Sequence, residues 1–212
     1  MTERTYRIKE AFPTLQGEGS HTGRPAVFLR MAGCNQWSGR EADRTRDAAR
    51  NGNRCALFCD TDFFGGEPMT ADQIRDVVHG LGASEMVPVV LTGGEPLLQL
   101  DAPLAAALRS LGCRLHVESN GTVPPAVNVD WLAISPKVAP ELLRVRRCDE
   151  LKVIVPAYDP RRYLGAIEAT FLYVQPEDGP DGKLHVEQAV AFVRANPAWR
   201  LSLQTHKLIG LP

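Results

Sequence analysis

The chain has 212 residues, a formal net charge of −1, 44% apolar residues and 23% charged residues. That is one domain with a sizeable core, residues 1–212, and its near-zero charge argues against nucleic-acid binding through a basic surface. No apolar run approaches the roughly 18 residues that span a bilayer, the charged N-terminus MTERTYRIKE has no apolar signal core, and five unevenly placed cysteines do not make a disulfide framework; a reduced, cytoplasmic protein with no membrane contact is expected.

In chain order, PAVFLRMAG (Pro25 to Gly33) is a short apolar run ending at glycine and reads as a buried strand. The polar, Arg-rich stretch Asn35 to Arg54 reads as a loop with one helical piece. TADQIRDVVHGLG opens with Thr70 and carries Gln73 three residues later, a capping box that starts a helix ending near Gly80 or Gly82. PVVLTGGEP reads as a strand over Val89 to Thr92, APLAAALRSLG as a helix closed by Gly112, and RLHVESNG, DWLAISPK and ELKVIVP as three further strands. RRYLGAIEA reads as a short helix, TFLYVQP as a strand, HVEQAVAFVRANP as a helix and WRLSLQTHK as the last strand. There are no repeats, low-complexity tracts or linkers.

Strands alternating with helices imply an α/β fold with a parallel sheet and right-handed crossovers. About six or seven strands point to an incomplete (β/α) barrel or a doubly wound sheet, and in both folds ligands gather at the carboxyl ends of the strands. GCN, TGGEP, ESNG, SPK, VQPEDGP and QTHK all fall at such ends.

Cys34, Cys55 and Cys59 are the first constellation. Three thiolates can hold a [4Fe–4S] cluster and leave one iron open, or hold zinc with one position unfilled. Cys113 and Cys148 stand alone and read as buried or incidental thiols. In TGGEP, two glycines after a strand let a ligand approach the backbone closely, and free amides with a carboxylate can meet a ligand's ammonium and carboxylate groups.

An upstream cysteine, a later pair ending in aromatic-Cys, and GGE after the next strand resemble the radical S-adenosylmethionine (SAM) superfamily. TLQGEG, RPAVFLRMAGCNQWSGRE, CDTDF, TGGEPLLQLD, VESNGT, SPK, ELKVIVP, VQPEDGP and RLSLQTHKLIGLP together resemble the 7-carboxy-7-deazaguanine synthase family, from about Lys9 to Pro212. The resemblance implies an incomplete (β/α) barrel with the cluster at the C-terminal ends of its strands. It also implies a lyase of queuosine (7-deazapurine) biosynthesis that contracts the ring of 6-carboxy-5,6,7,8-tetrahydropterin with loss of ammonia. Implied cofactors are a [4Fe–4S] cluster, SAM and Mg²⁺; implied partners are a flavodoxin-type reductant and a second copy in a homodimer. Radical SAM proteins usually space the cysteines by three residues and then two, and members of this family can have a much longer first gap; here 20 residues separate Cys34 from Cys55, and the three between Cys55 and Cys59 are one more than the family pattern.

Carried over by position, the resemblance implies that Cys34, Cys55 and Cys59 hold the cluster and Thr61 meets Mg²⁺, although by residue type alone Asp60 or Asp62 is the better hard-oxygen donor. Gly94 and Glu95 would bind the SAM amino group, Glu118 and Asn120 its ribose, and Ser135, Pro136, Lys137 and Gln175, Pro176, Glu177 and Asp178 would line SAM. Leu15, Gln16, Gly17 and Glu18 would border the pterin, Arg30 its carboxylate, and Thr92, His206 and the Pro212 carboxylate would also touch substrate. No side chain is needed as a nucleophile. Competing readings are another radical SAM enzyme, such as a glycyl-radical activase, and a non-catalytic iron–sulfur or zinc protein.

Overall fold

A computed structural model describes residues 4–212. Nine strands form one sheet in the order β3-β1-β2-β4-β5-β6-β7-β8-β9. They are β1 (Thr5–Leu15), β2 (Pro25–Met31), β3 (Glu67–Thr70), β4 (Val89–Gly93), β5 (Leu115–Ser119), β6 (Trp131–Ile134), β7 (Arg147–Val155), β8 (Glu168–Pro176) and β9 (Trp199–Leu201). The seven strands expected from the sequence are those from β2 onward without β3, and they pair in parallel. The two that sequence reading missed, β1 and β3, run antiparallel at one edge. In β1 the alternation of buried Tyr6 and Ile8 with exposed neighbours is short and sits among charges. β3 is four residues long and carries Pro68, which an edge strand tolerates.

Six α-helices accompany the sheet: α1 (Arg44–Asn51), α2 (Cys55–Phe58), α3 (Ala71–Gly80), α4 (Ala102–Arg109), α5 (Gly182–Ala195) and α6 (Thr205–Ile209). The capping box forms as expected: Thr70 Oγ1 accepts from the Gln73 amide, and the Gln73 side chain accepts from the Thr70 amide. Asp101 caps α4 through the Leu104 N–H. The helical piece expected within Asn35 to Arg54 is α1, with α2 directly after the stretch. Two expectations shift. RRYLGAIEA forms only one 3₁₀ turn, Pro160–Tyr163, and Gly165 with φ of +83° prevents its continuation. The last strand stops at Leu201, and its QTHK end turns into α6.

Strand periodicity gives the sheet two unlike faces. Leu29, Leu91, Val117, Leu132, Ile134, Leu151, Val153 and Val174 join Ile74 and Val78 of α3, Leu104 and Leu108 of α4 and Ala189 of α5 in a single apolar core. The opposite face carries Thr92, His116, Glu118, Glu150, Lys152, Tyr173, Gln175 and Ser202. These are core-flanking positions one residue out of phase with the apolar set, and four of them are charged or imidazole-bearing.

Candidate active site

At the carboxyl ends of the parallel strands lies a cavity of about 290 Å³. β2 delivers Cys34 to it through Gly33, whose φ of +88° is a left-handed turn that glycine adopts freely. β4 delivers Thr92, Gly93 and Gly94. A Cβ on Gly94 would lie 2.1 Å from the Gly33 carbonyl oxygen and 2.9 Å from Cys34 Cβ, so the two loops touch through bare backbone. The Glu95 amide donates to the Gly33 carbonyl at 2.9 Å and locks that contact.

Cys34, Cys55 and Cys59 all line the cavity, while Cys113 and Cys148 lie in the apolar core. The sequence distance between Cys34 and Cys55 is bridged by structure: Asn53 donates to the Gln36 side chain at 2.7 Å and accepts the Cys55 N–H at 2.9 Å. Burial pushes the Cys34 thiol up to about 11. A hydrogen bond from Cys55 brings Cys59 down to about 7 and drives Cys55 upward. Among the described residues no three His, Cys, Asp or Glu side chains converge as a site for a single metal ion.

Thr61 lines the cavity beside Asp60. Both neighbouring carboxylates are engaged elsewhere: Lys207 Nζ lies 2.5 Å from Asp60 and 2.6 Å from Asp178, and Lys9 lies 2.7 Å from Asp62. β5 brings Glu118 and Asn120 to the rim, β6 brings Ser135 and Lys137, β8 brings Gln175, Pro176, Glu177 and Asp178, and α6 brings His206. His206 packs on bare backbone, since a Cβ on Gly17 would lie 1.9 Å from its Nδ1. Lys137 is half-buried, donates to Ser135 Oγ at 2.7 Å, and desolvation lowers its pKa.

Glu18 sits in a polar knot. Its Oε1 accepts from Gln175 and Gln204 at 3.0 Å each, and its Oε2 is paired with Lys152. Burial works against the charge, but the Lys152 ammonium outweighs it and holds the Glu18 carboxyl below the usual range. Lys152 is raised in turn: burial opposes its charge, and Glu18, Glu118 and Glu150 overcome that opposition.

Seven residues from the sequence-derived set do not line the cavity. Glu95 is fully buried, and its carboxylate accepts from the Ser119 hydroxyl (3.0 Å) and the Asn120 and Leu97 amides (2.8 and 3.0 Å); burial pushes it up to about 7. Arg30 is opposite Thr92 in the sheet but pairs with Glu10 at 2.7 Å. Gln16 is buried, donates to Glu118 at 2.8 Å and accepts the Glu18 N–H at 3.0 Å. The Pro212 oxygen accepts from Thr14 at 3.2 Å. Leu15 ends β1 against Pro25, Gly17 lies behind His206, and Pro136 sits between two lining residues. Sequence reading missed Lys152, Gln204 and Lys207; a lysine inside the apolar run of ELKVIVP was the available cue for the first.

No family model matches the chain. Full-length relatives do. It is 44% identical over 98% of its length to all of 7-carboxy-7-deazaguanine synthase from Burkholderia multivorans. It is 44% identical over 98% of its length to 99% of the protein of that name from Bordetella pertussis. The crystal structure of QueE from Escherichia coli shares the fold, with a TM-score of 0.68, 23% identity and 94% of each chain covered. With three cysteines, a glycine-lined loop and a polar sheet face around one cavity, and such identity across the whole length, the chain belongs to the 7-carboxy-7-deazaguanine synthase family.

Proposed function

We propose that this chain is a radical SAM lyase that converts 6-carboxy-5,6,7,8-tetrahydropterin to 7-carboxy-7-deazaguanine with ring contraction and loss of ammonia. The observation that carries the reading is the meeting of Cys34, Cys55 and Cys59 with Glu18 and His206 at one cavity, in a chain 44% identical to named synthases over nearly its full length. We read the open sheet as an incomplete (β/α) barrel in one domain, with the cluster at the strands' C-terminal ends. Support comes from the linear strand order and the position of the cysteines. A flavodoxin-type reductant, a homodimer and a cytoplasmic location rest on the family resemblance and the composition; no described helix is long and apolar enough to cross a membrane.

Cys34, Cys55 and Cys59 would hold the [4Fe–4S] cluster, which with SAM supplies a 5′-deoxyadenosyl radical. The chain's own work is then positioning and exclusion of water. Gly93 and Gly94 let the β4 loop pack directly on the Met31 and Gly33 backbone, which sets the wall that SAM would meet. Glu95 fixes the β4 and β5 turns through three donors, and the remaining one of its roughly four lone-pair sites is the one it would offer the SAM amino group. Glu118 and Asn120 offer oxygen and nitrogen to a ribose, while Ser135, Lys137, Glu177 and Asp178 complete that wall.

Glu18 reads the guanidine-like edge of the pterin. Kept ionised by Lys152, it acts only as an acceptor, and three of its roughly four lone-pair sites are taken by Lys152, Gln175 and Gln204. A bidentate pair with substrate therefore requires one amide, Gln175 or Gln204, to give way. Arg30 reaches a substrate carboxylate by exchanging it for Glu10. Thr61 takes the Mg²⁺ contact on the family resemblance, beside Asp60 and Asp62 that pair with Lys207 and Lys9, and Gln16 acts through Glu118 and Glu18. Anaerobic incubation of reconstituted protein with SAM, Mg²⁺, a reductant and the carboxytetrahydropterin tests the reading. Mass analysis should find 7-carboxy-7-deazaguanine and ammonia, and Cys34→Ala and Cys59→Ala should abolish them while Cys113→Ala and Cys148→Ala should not. Cleavage of SAM with the pterin unchanged would contradict it and favour another radical SAM reaction.

A further inference from the structure

The stretch between Cys34 and Cys55 folds back onto both ends of the cysteine set. Trp37, Ala56 and Phe63 form a small apolar cluster of their own, with Cys34, Ala48 and Cys59 packed against it. Trp37 meets Phe63 edge-on at 5.3 Å. Asp47 of α1 is fully buried and accepts the Ser38 N–H at 2.8 Å, and Asn51 and Asn53 both bond Gln36.

Arg44, the first residue of α1, sits at the centre of this arrangement. Its guanidinium lies 4.1 Å from the centre of the Trp37 ring, a cation–π stack on the Cys34 side. The same guanidinium donates to the carbonyl of Cys59 from Nη1 and Nη2, at 3.2 and 3.1 Å, and to the carbonyl of Ala56. Those carbonyls belong to the end of α2, where helical carbonyls have no intrahelical donor. One planar fork thus pins the α2–Cys59 backbone to the ring that follows Cys34. Glu41 holds its Nε at 2.7 Å and fixes the rotation of the fork.

We propose that Arg44 is a positioning residue for the cluster: it presets Cys59 relative to Cys34 and places a fixed positive charge behind the cysteine loop. This rests on the reading of Cys34, Cys55 and Cys59 as cluster ligands. Two consequences follow. Removing the fork loosens one corner of the cluster, and residues behind metal ligands typically change metal retention by about 10–100-fold. Removing the charge disfavours the more negative, reduced cluster and shifts the reduction potential downward, since local charge and hydrogen bonding tune such potentials.

The experiment compares wild type, Arg44→Gln, Arg44→Lys and Arg50→Gln after anaerobic reconstitution. Arg50 lies on the same helix, is 61% exposed, and serves as the charge-loss control. The readouts are iron and sulfide content, the rate of iron loss to a chelator, and the potential followed by visible absorbance during redox titration. The expected result is iron loss about 10–100-fold faster in Arg44→Gln, with a more negative potential. Arg44→Lys should keep the wild-type potential but lose iron faster, because it retains the charge and not the fork. Arg50→Gln should match wild type in both. Wild-type retention and potential in Arg44→Gln would overturn the inference. If Arg44→Gln fails to fold, wild-type iron retention in Arg44→Lys would overturn it equally. Wild type that holds no cluster would instead overturn the assignment of the cysteines.

Discussion

Leu91, Leu115, Leu151 and Val153 face one side of the sheet and are wholly shielded from solvent, while Thr92, His116, Glu150 and Lys152 stand one residue away on the same strands and face the other. The strands' backbones are alike, so the difference lies entirely in side-chain chemistry. The apolar face is stabilised by area removed from water, roughly 25 cal/mol per Å². The polar face gains little that way and must satisfy each buried charge with a partner: Lys152 with Glu18, Gln16 with Glu118, and Glu150 with the Ser20 N–H at 2.8 Å. A polar sheet face maintained at that cost opens at its carboxyl end onto the cavity to which we assign binding.

The comparison is broken most severely at its one shared cation. Lys152→Met leaves Glu18, Glu118 and Glu150 without their main counter-charge and should destabilise the protein by about 3–5 kcal/mol, read from urea unfolding. The added variant Glu18→Gln in that background should recover part of the loss, because it removes one of the stranded charges.

On the apolar face, Leu115→Ala should cost about 2–5 kcal/mol through lost burial and a residual cavity. Cluster content and SAM binding should be unchanged in the folded fraction. The two faces would then differ in the character of their damage, with stability alone lost on one side and stability together with binding on the other.

A smaller effect separates them by pH. Burial depresses the His116 pKa to about 4, from an ordinary value near 6.5. A base whose folded pKa is depressed contributes stability that is complete above the ordinary pKa and is lost as pH falls through the window between the two values. Glu95, raised to about 7 by burial, acts with the opposite sign in the same window, so the loss is read as the difference in thermal unfolding between wild type and His116→Gln from pH 7 down to pH 4. Neutral replacements on the apolar face should leave the slope unaltered.

Much of this was legible in the sequence. The seven parallel strands, the capping box at Thr70 and Gln73, and the polar residues gathered at strand ends follow from periodicity and turn chemistry. The family motifs named most of the cavity wall, from Cys34 and Thr61 to Gln175 and His206. What escaped was set by long-range contact. β1 depends on pairing with β2 and β3 for its burial, and its alternating run is too short to stand out among charges. Lys152 looks like an interruption of a strand until Glu18 arrives across 134 positions of sequence. Glu95 resembles a free ligand-binding carboxylate, and only the arrival of Ser119 and Asn120 shows that it also ties β4 to β5. Arg30 has its partner on β1, the strand that sequence reading did not see.

The claim that the polar face reads a pterin is tested most directly by calorimetric titration of 6-carboxy-5,6,7,8-tetrahydropterin into the anaerobic, SAM-loaded protein and its Glu18→Gln variant. Glu18→Gln exchanges a charge-assisted acceptor for a neutral amide, and binding should weaken by about 1–3 kcal/mol while cluster content and substrate-free SAM cleavage persist. Equal affinity in the two proteins would contradict the assignment of Glu18, and with it the residue-level basis for a pterin on this face.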